Sequence, residues 1–123
     1  MTDILAVAIL VHNLANKTLD HCPDIGHQLF YPEQVEARGC GDCEDLALWR
    51  YEQMMIRNVP LKAMQISVIN DGTHAVLDAC VPFGRCWRMD HGKPLMEIEA
   101  LPDKYYDPVN HVILKRGNKD ENR

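Results

Sequence analysis

Apolar and polar positions repeat on two different periods along this chain, and the change of period divides it. Over residues 3 to 16 apolar residues run nearly all round the helical wheel, which predicts a buried helix with Thr2 or Asp3 as its N-cap. Residues 17 to 41 lose any period and carry Pro23, Gly26, Pro32, Gly39 and Gly41, the marks of irregular chain. Within that stretch residues 32 to 37 predict a short helix, because proline suits a first helical position. Residues 42 to 57 read as the central helix. Asp42 can cap it, and Asp45 sits three residues on as in a capping box. Leu46, Ala47, Leu48, Trp49, Met54, Met55 and Ile56 give it a wide apolar surface, and Asn58-Val59-Pro60 ends it.

Beyond Pro60 the period falls to two. Residues 63 to 69 predict a strand, Asn70-Asp71-Gly72 a hairpin turn, and residues 73 to 81 a second strand. Residues 86 to 91 predict a third, reached through Pro82-Phe83-Gly84, and residues 109 to 115 a last one. Helices first and then a small antiparallel sheet define an α+β class. No repeat, low-complexity tract or linker interrupts the pattern. Residues 1 to 116 are therefore expected to form a single domain, and the polar residues 117 to 123 a frayed tail.

Alternation also sorts the side chains by face. In the second strand the odd positions Ala75, Leu77, Ala79 and Val81 are all apolar and must meet the core. His74, Val76, Asp78 and Cys80 take the other, more polar face. In the third strand Trp87 and Met89 belong to the core face, and Arg88 and Asp90 to the polar one. His74 and Asp90 thus share a face, and a five-residue loop over 80 to 84 would set them directly opposite. Asp78 shares that face and is the alternative partner for His74.

Composition narrows the function. The 123 residues are 46% apolar and 25% charged, as in ordinary globular proteins. A net charge of -5, with no basic cluster beyond Lys115-Arg116, argues against nucleic-acid binding. No stretch reaches the roughly 18 apolar residues of a membrane span. The apolar run from Ile4 to Val11 follows Asp3 rather than a positive charge and lacks a clean cleavage site, so it reads as a helix and not an export signal. A cytoplasmic location is the expectation. The cysteines are Cys22, Cys40, Cys43, Cys80 and Cys86, an odd number, and most are expected to be reduced.

Candidate chemistry centres on Cys43. As first residue of the central helix it meets the positive end of the dipole, which favours thiolate, and Gly39 and Gly41 before it would admit a substrate backbone. His74 could serve as base, with Asp90 fixing its tautomer. Cys40-Gly-Asp-Cys43 is also a C-x-x-C pair, as in redox sites, but the charged PEQVEARG before it is not strand-like. Zinc held by Cys40, Cys43 and two of His74, Cys80, Cys86 or Cys22 is a weaker alternative, since no second C-x-x-C occurs. His21, His27, His91 and His111 show no obvious partners.

The stretch YPEQVEARGCGDCEDLALWRYEQMMIRNVP resembles the core of the bacterial transglutaminase-like cysteine peptidases. The hallmark is Gly-Asp-Cys-Glu-Asp at residues 41 to 45, opening a helix. Tyr31-Pro32-Glu33 upstream, Thr73-His74-Ala75-Val76-Leu77 downstream and then Asp90 complete the match, which covers roughly residues 10 to 95. The resemblance implies a papain-like, transglutaminase-like core with the nucleophile at the N-terminus of the central helix. It implies a Cys43-His74-Asp90 triad acting on the amides of a peptide or protein substrate, by hydrolysis or by acyl transfer. Calcium on Asp42, Glu44 and Asp45, as in some members, is implied too; a bound cation would neutralise carboxylates that otherwise oppose a thiolate. The chain is short for the family, and a second oxyanion donor is not evident, with Gln28 and Gln34 as candidates beside the Cys43 backbone N–H. A catalytically quiet relative that binds an extended segment is the alternative.

Overall fold

A computed structural model describes residues 2 to 23 and 31 to 116. Three helices come first: α1 (Ile4–Thr18), α2 (Pro32–Arg38) and α3 (Cys43–Ile56). Between them run two short strands, β1 (Asp20–His21) and β2 (Cys40–Gly41), paired in parallel. The six strands that follow are β3 (Met64–Ile69), β4 (His74–Cys80), β5 (Cys86–Met89), β6 (Met96–Ile98), β7 (Lys104–Asp107) and β8 (Val112–Lys115). They form one antiparallel sheet in the order β6-β5-β4-β3-β7-β8. The fold is α+β, with α3 laid against β4 and with α1 and α2 packed on α3.

The helix starts are set by local chemistry. Asp3 caps α1 by accepting the Ala6 N–H. In α3 the caps are reciprocal: the Asp42 carboxylate accepts the Asp45 N–H at 3.0 Å, and the Asp45 carboxylate accepts the Asp42 N–H at 3.1 Å. Gly39 ends α2 with φ +78°, a conformation that favours glycine. At Gly41 a Cβ would stand 2.7 Å from the Asp45 Cβ. Gly39 thus suits the end of α2, and Gly41 the close packing of the chain against the start of α3.

Packing is one-sided on α1. Ile4, Ala8, Val11 and Ala15 are buried, spaced three and four apart, whereas Ile9, Leu10 and Leu14 are exposed. The all-round apolar pattern therefore covers a helix with one open face. Leu46, Met54, Ile66, Leu77 and Met89 fill the space between α3 and the sheet. Each such side chain contributes roughly 2 kcal/mol by burial.

The sheet differs from expectation in three ways. It has six strands where the pattern predicts four, because Met96–Ile98 and Lys104–Asp107 are short and carry charged residues that mask the alternation. The β4–β5 register is displaced by two: Cys80 pairs with Cys86 and Leu77 with Met89, closing a five-residue loop over 81 to 85. An even displacement keeps every side chain on its face but makes His74 and Asp90 diagonal neighbours, not directly opposite ones. Third, the polar face is not open. Asp78 is fully buried, with Arg88 donating to both its oxygens at 2.9 and 3.0 Å and Ser67 at 2.5 Å.

The cysteines also depart from the reduced state expected. Cys22 is bonded to Cys40, and Cys80 to Cys86, leaving Cys43 as a thiol. The first bond ties β1 to β2 just before α3, and the second clamps the far end of the β4–β5 hairpin. No described helix is long and apolar enough to cross a membrane. The tail 117 to 123, with Gln28 and His27, lies outside the described residues.

Candidate active site

Cys43 is the first residue of α3 and half buried. It sits there because the Asp42–Asp45 cap fixes where the helix begins and the β1–β2 pair fixes the approach. Two backbone N–H groups reach its thiol, those of Ala75 on β4 and of Glu44. Burial pushes the thiol up, the two N–H groups oppose this, and the charges of Asp42 and Glu44 reinforce it, so that the net direction is upward. The helix start alone therefore does not make a resting thiolate here, contrary to what position in the sequence suggests.

His74 opens β4, and Asp90 follows directly on β5. The His74 Nε2 lies 2.8 Å from Asp90 Oδ1. Burial alone would raise the Asp90 carboxyl, but the bond to His74 and the charges of His74 and Lys93 hold it below its ordinary value. Asp90 is thus a carboxylate at neutral pH, His74 carries its proton on Nε2, and Nδ1 is the nitrogen that can accept another. The Lys93 ammonium stands 3.4 Å from the second Asp90 oxygen.

Cys43 and His74 line the same two hollows. One is a cavity of about 100 Å³ whose wall also includes Arg50, His91, His21 and Met89. The other is a cleft of about 30 Å³ bounded by Glu44, Gly72, Tyr106 and Ile113. The three residues suggested by sequence are therefore brought to one place by α3, β4 and the end of β5.

The alternatives fare differently. Asp78 has both oxygens engaged by Arg88 and Ser67, away from His74. Gln34 accepts the Tyr31 N–H at 2.8 Å at the start of α2 and is in neither wall beside Cys43. The C-x-x-C and zinc readings lose their sulfurs, because Cys40, Cys22, Cys80 and Cys86 are all in disulfides. Asp42 and Asp45 turn carboxylate oxygens to each other's backbone, and Asp45 is buried. Among the described residues no group of three or more His, Cys, Asp or Glu is placed to hold a metal ion.

Sequence reasoning missed a buried cluster beside the cavity. Arg50 on α3 is 1% exposed and donates to His12 Nδ1, Asn16 Oδ1 and the Leu46 carbonyl, with His91 Nδ1 at 2.8 Å. His91 in turn meets the Leu19 carbonyl at 2.9 Å. His111, also without an evident partner in sequence, pairs with the Tyr106 hydroxyl. Nothing in the periodicity marks Arg50 or His12 as interior, since each interrupts an apolar helix face where exposure is the usual outcome.

Helices on a six-stranded antiparallel sheet, with a cysteine opening the central helix and histidine on the adjacent strand, define a transglutaminase-like α+β fold. Legionella pneumophila LapG has this fold: one structure superposes with a TM-score of 0.70 at 15% identity, over 98% of this chain and 74% of that one. The EGTA-treated and calcium-bound forms of LapG give the same TM-score, at 17% and 19% identity, over 93% of this chain and 68% and 70% of theirs. The sequence matches no family model and no curated protein.

Proposed function

We propose that this chain is a thiol-dependent hydrolase of peptide or amide bonds, with Cys43 as nucleophile, His74 as general base and Asp90 as the residue orienting the base. The observation that carries the reading is the 2.8 Å contact of His74 Nε2 with Asp90, which leaves Nδ1 as the accepting nitrogen of a side chain that lines the same hollow as Cys43. Because the resting thiol is held protonated, its proton moves to His74 Nδ1 as sulfur attacks the carbonyl carbon. The tetrahedral oxyanion is received by the Cys43 backbone N–H at the start of α3. Its collapse expels the amine, which takes the proton from His74 and leaves a thioester on Cys43. Water, deprotonated by His74, then releases the acid and restores the thiol. An amine in place of water would make the same site an acyl transferase.

LapG appears in a calcium-bound form. For this chain we assign Asp42 and Asp45 to the helix cap instead, and route no step through a cation. The two disulfides favour an oxidising compartment over the cytoplasm for this protein.

The raised thiol supports one other reading, a quiet relative that binds extended peptide without cleaving it. A proteome-derived peptide library separates the readings, with new amino termini scored by mass spectrometry. Wild type generates them and Cys43→Ala does not if the chain is a hydrolase. Incorporation of a labelled primary amine at the same sites marks acyl transfer. Binding without either product marks the quiet relative and overturns the proposal.

A further inference from the structure

Arg50 is the largest fully buried side chain of the core, and among the described residues no carboxylate lies within ion-pair distance of it. Burial lowers its pKa to about 10, while the charge of Asp90 works the other way. Such a group would be replaced by an apolar one at little cost to stability, unless its geometry is used. Its contacts show what it holds. Nε meets His12 Nδ1 at 3.2 Å, and Nη2 meets Asn16 Oδ1 at 3.1 Å and His91 Nδ1 at 2.8 Å. Since a guanidinium only donates, both imidazoles accept through Nδ1 and carry their proton on Nε2. These Nε2 protons are directed to backbone carbonyls, His12 to Lys93 at 2.6 Å and His91 to Leu19 at 2.9 Å. Asn16 adds two bonds to the same turn, accepting the Gly92 N–H at 2.8 Å and donating to the Lys93 carbonyl at 3.2 Å.

Together these bonds tie α3 to α1, and both helices to residues 91 to 93 and to the exit of α1. Those residues form the turn that follows Asp90, closed by the Lys93 N–H on the Asp90 carbonyl. We propose that Arg50, acting through His12, Asn16 and His91, is a positioning residue that holds the 90–93 turn and thereby keeps Asp90 against His74. The proposal rests on the triad reading for its consequence but on the hydrogen bonds for its geometry. A planar fork with several donors suits the task, since it ties two helices and a turn at fixed angles.

The test uses Asn16→Ala, in which alanine keeps the α1 helix, together with Arg50→Gln, Arg50→Lys and His74→Ala. Imidazole nitrogen-15 shifts report the His74 tautomer, and peptide mapping reports the pH profile of Cys43 alkylation. Wild type holds His74 as the Nε2–H tautomer. In Asn16→Ala and Arg50→Gln the tautomers mix, and Cys43 alkylation slows roughly tenfold toward the rate of His74→Ala. Arg50→Lys, which keeps charge but not the fork, behaves like Arg50→Gln. A folded Asn16→Ala with the wild-type tautomer and alkylation profile overturns the proposal. If His74→Ala itself leaves Cys43 unaffected, the hydrolase reading falls, and the tautomer alone decides the positioning claim.

Discussion

Replacing the two disulfides separately should have different consequences for stability and for the site. Cys22–Cys40 closes a loop of 18 residues and Cys80–Cys86 one of 6. Loop closure removes unfolded-state entropy worth about 3 kcal/mol for the first and about 2 kcal/mol for the second. Removing the first by paired serine substitution should therefore lower Tm by roughly 10 °C in a domain of this size. Their positions separate the functional effect. Cys40 lies two residues before the Asp42 cap, and its bond pins β1 to β2 where the chain enters α3. Cys80 is six residues along β4 from His74, a distance of roughly 20 Å. Loss of Cys22–Cys40 should slow Cys43 alkylation by a factor of several, whereas loss of Cys80–Cys86 should destabilise without altering that rate. Urea unfolding and alkylation kinetics on the two paired variants read both quantities. A count of five thiols in the denatured, unreduced protein, or equal slowing of Cys43 in both variants, would refute this reasoning.

Three further outcomes follow from the buried groups. Arg88→Met should cost about 3 kcal/mol by urea unfolding, because it leaves the fully buried Asp78 carboxylate without its cation; a loss below about 1 kcal/mol would contradict the pairing. His12 and His91 are lowered from 6.5, chiefly by burial and with the Arg50 charge adding to it, so the unfolded chain takes up protons before the folded one. The stability from this source is complete above pH 6.5 and lost as pH falls below it through the folded values, with Asp90 adding a further loss below 3.8. Denaturation midpoints that stay flat below pH 6.5 would count against the neutral Nδ1-acceptor state of both rings. Chelation by EGTA should change neither the urea midpoint nor Cys43 alkylation, and a calcium-dependent midpoint would show that Asp42 and Asp45 do more than cap α3.

The parts of this molecule legible in sequence are those governed by local chemistry. Asp42 and Asp45 announce the start of α3, and Asn70-Asp71-Gly72 announces the β3–β4 turn, where all three residues take positive φ. Strand parity placed His74 and Asp90 on one face because parity survives any even error of register. The register has its own mark in the sequence: Cys80 and Cys86 flank the hairpin loop, and a cross-strand disulfide sets them opposite each other. The short strands Met96–Ile98 and Lys104–Asp107 were hidden because their partners, not their own composition, make them strands. Arg50 was hidden for a different reason. Its burial depends on two imidazoles and an amide brought from α1 and from the turn after β5, and no spacing along the chain records that meeting.

The raised Cys43 thiol and the oriented His74 belong to one account, in which the base acts during attack rather than beforehand. That His74 serves Cys43 is tested by the rate of Cys43 alkylation against pH in wild type and His74→Ala. Wild type should react faster near neutral pH, and removing the imidazole should slow it, leaving a residual rate set by the thiol's own raised titration. Identical profiles in the two proteins would contradict it.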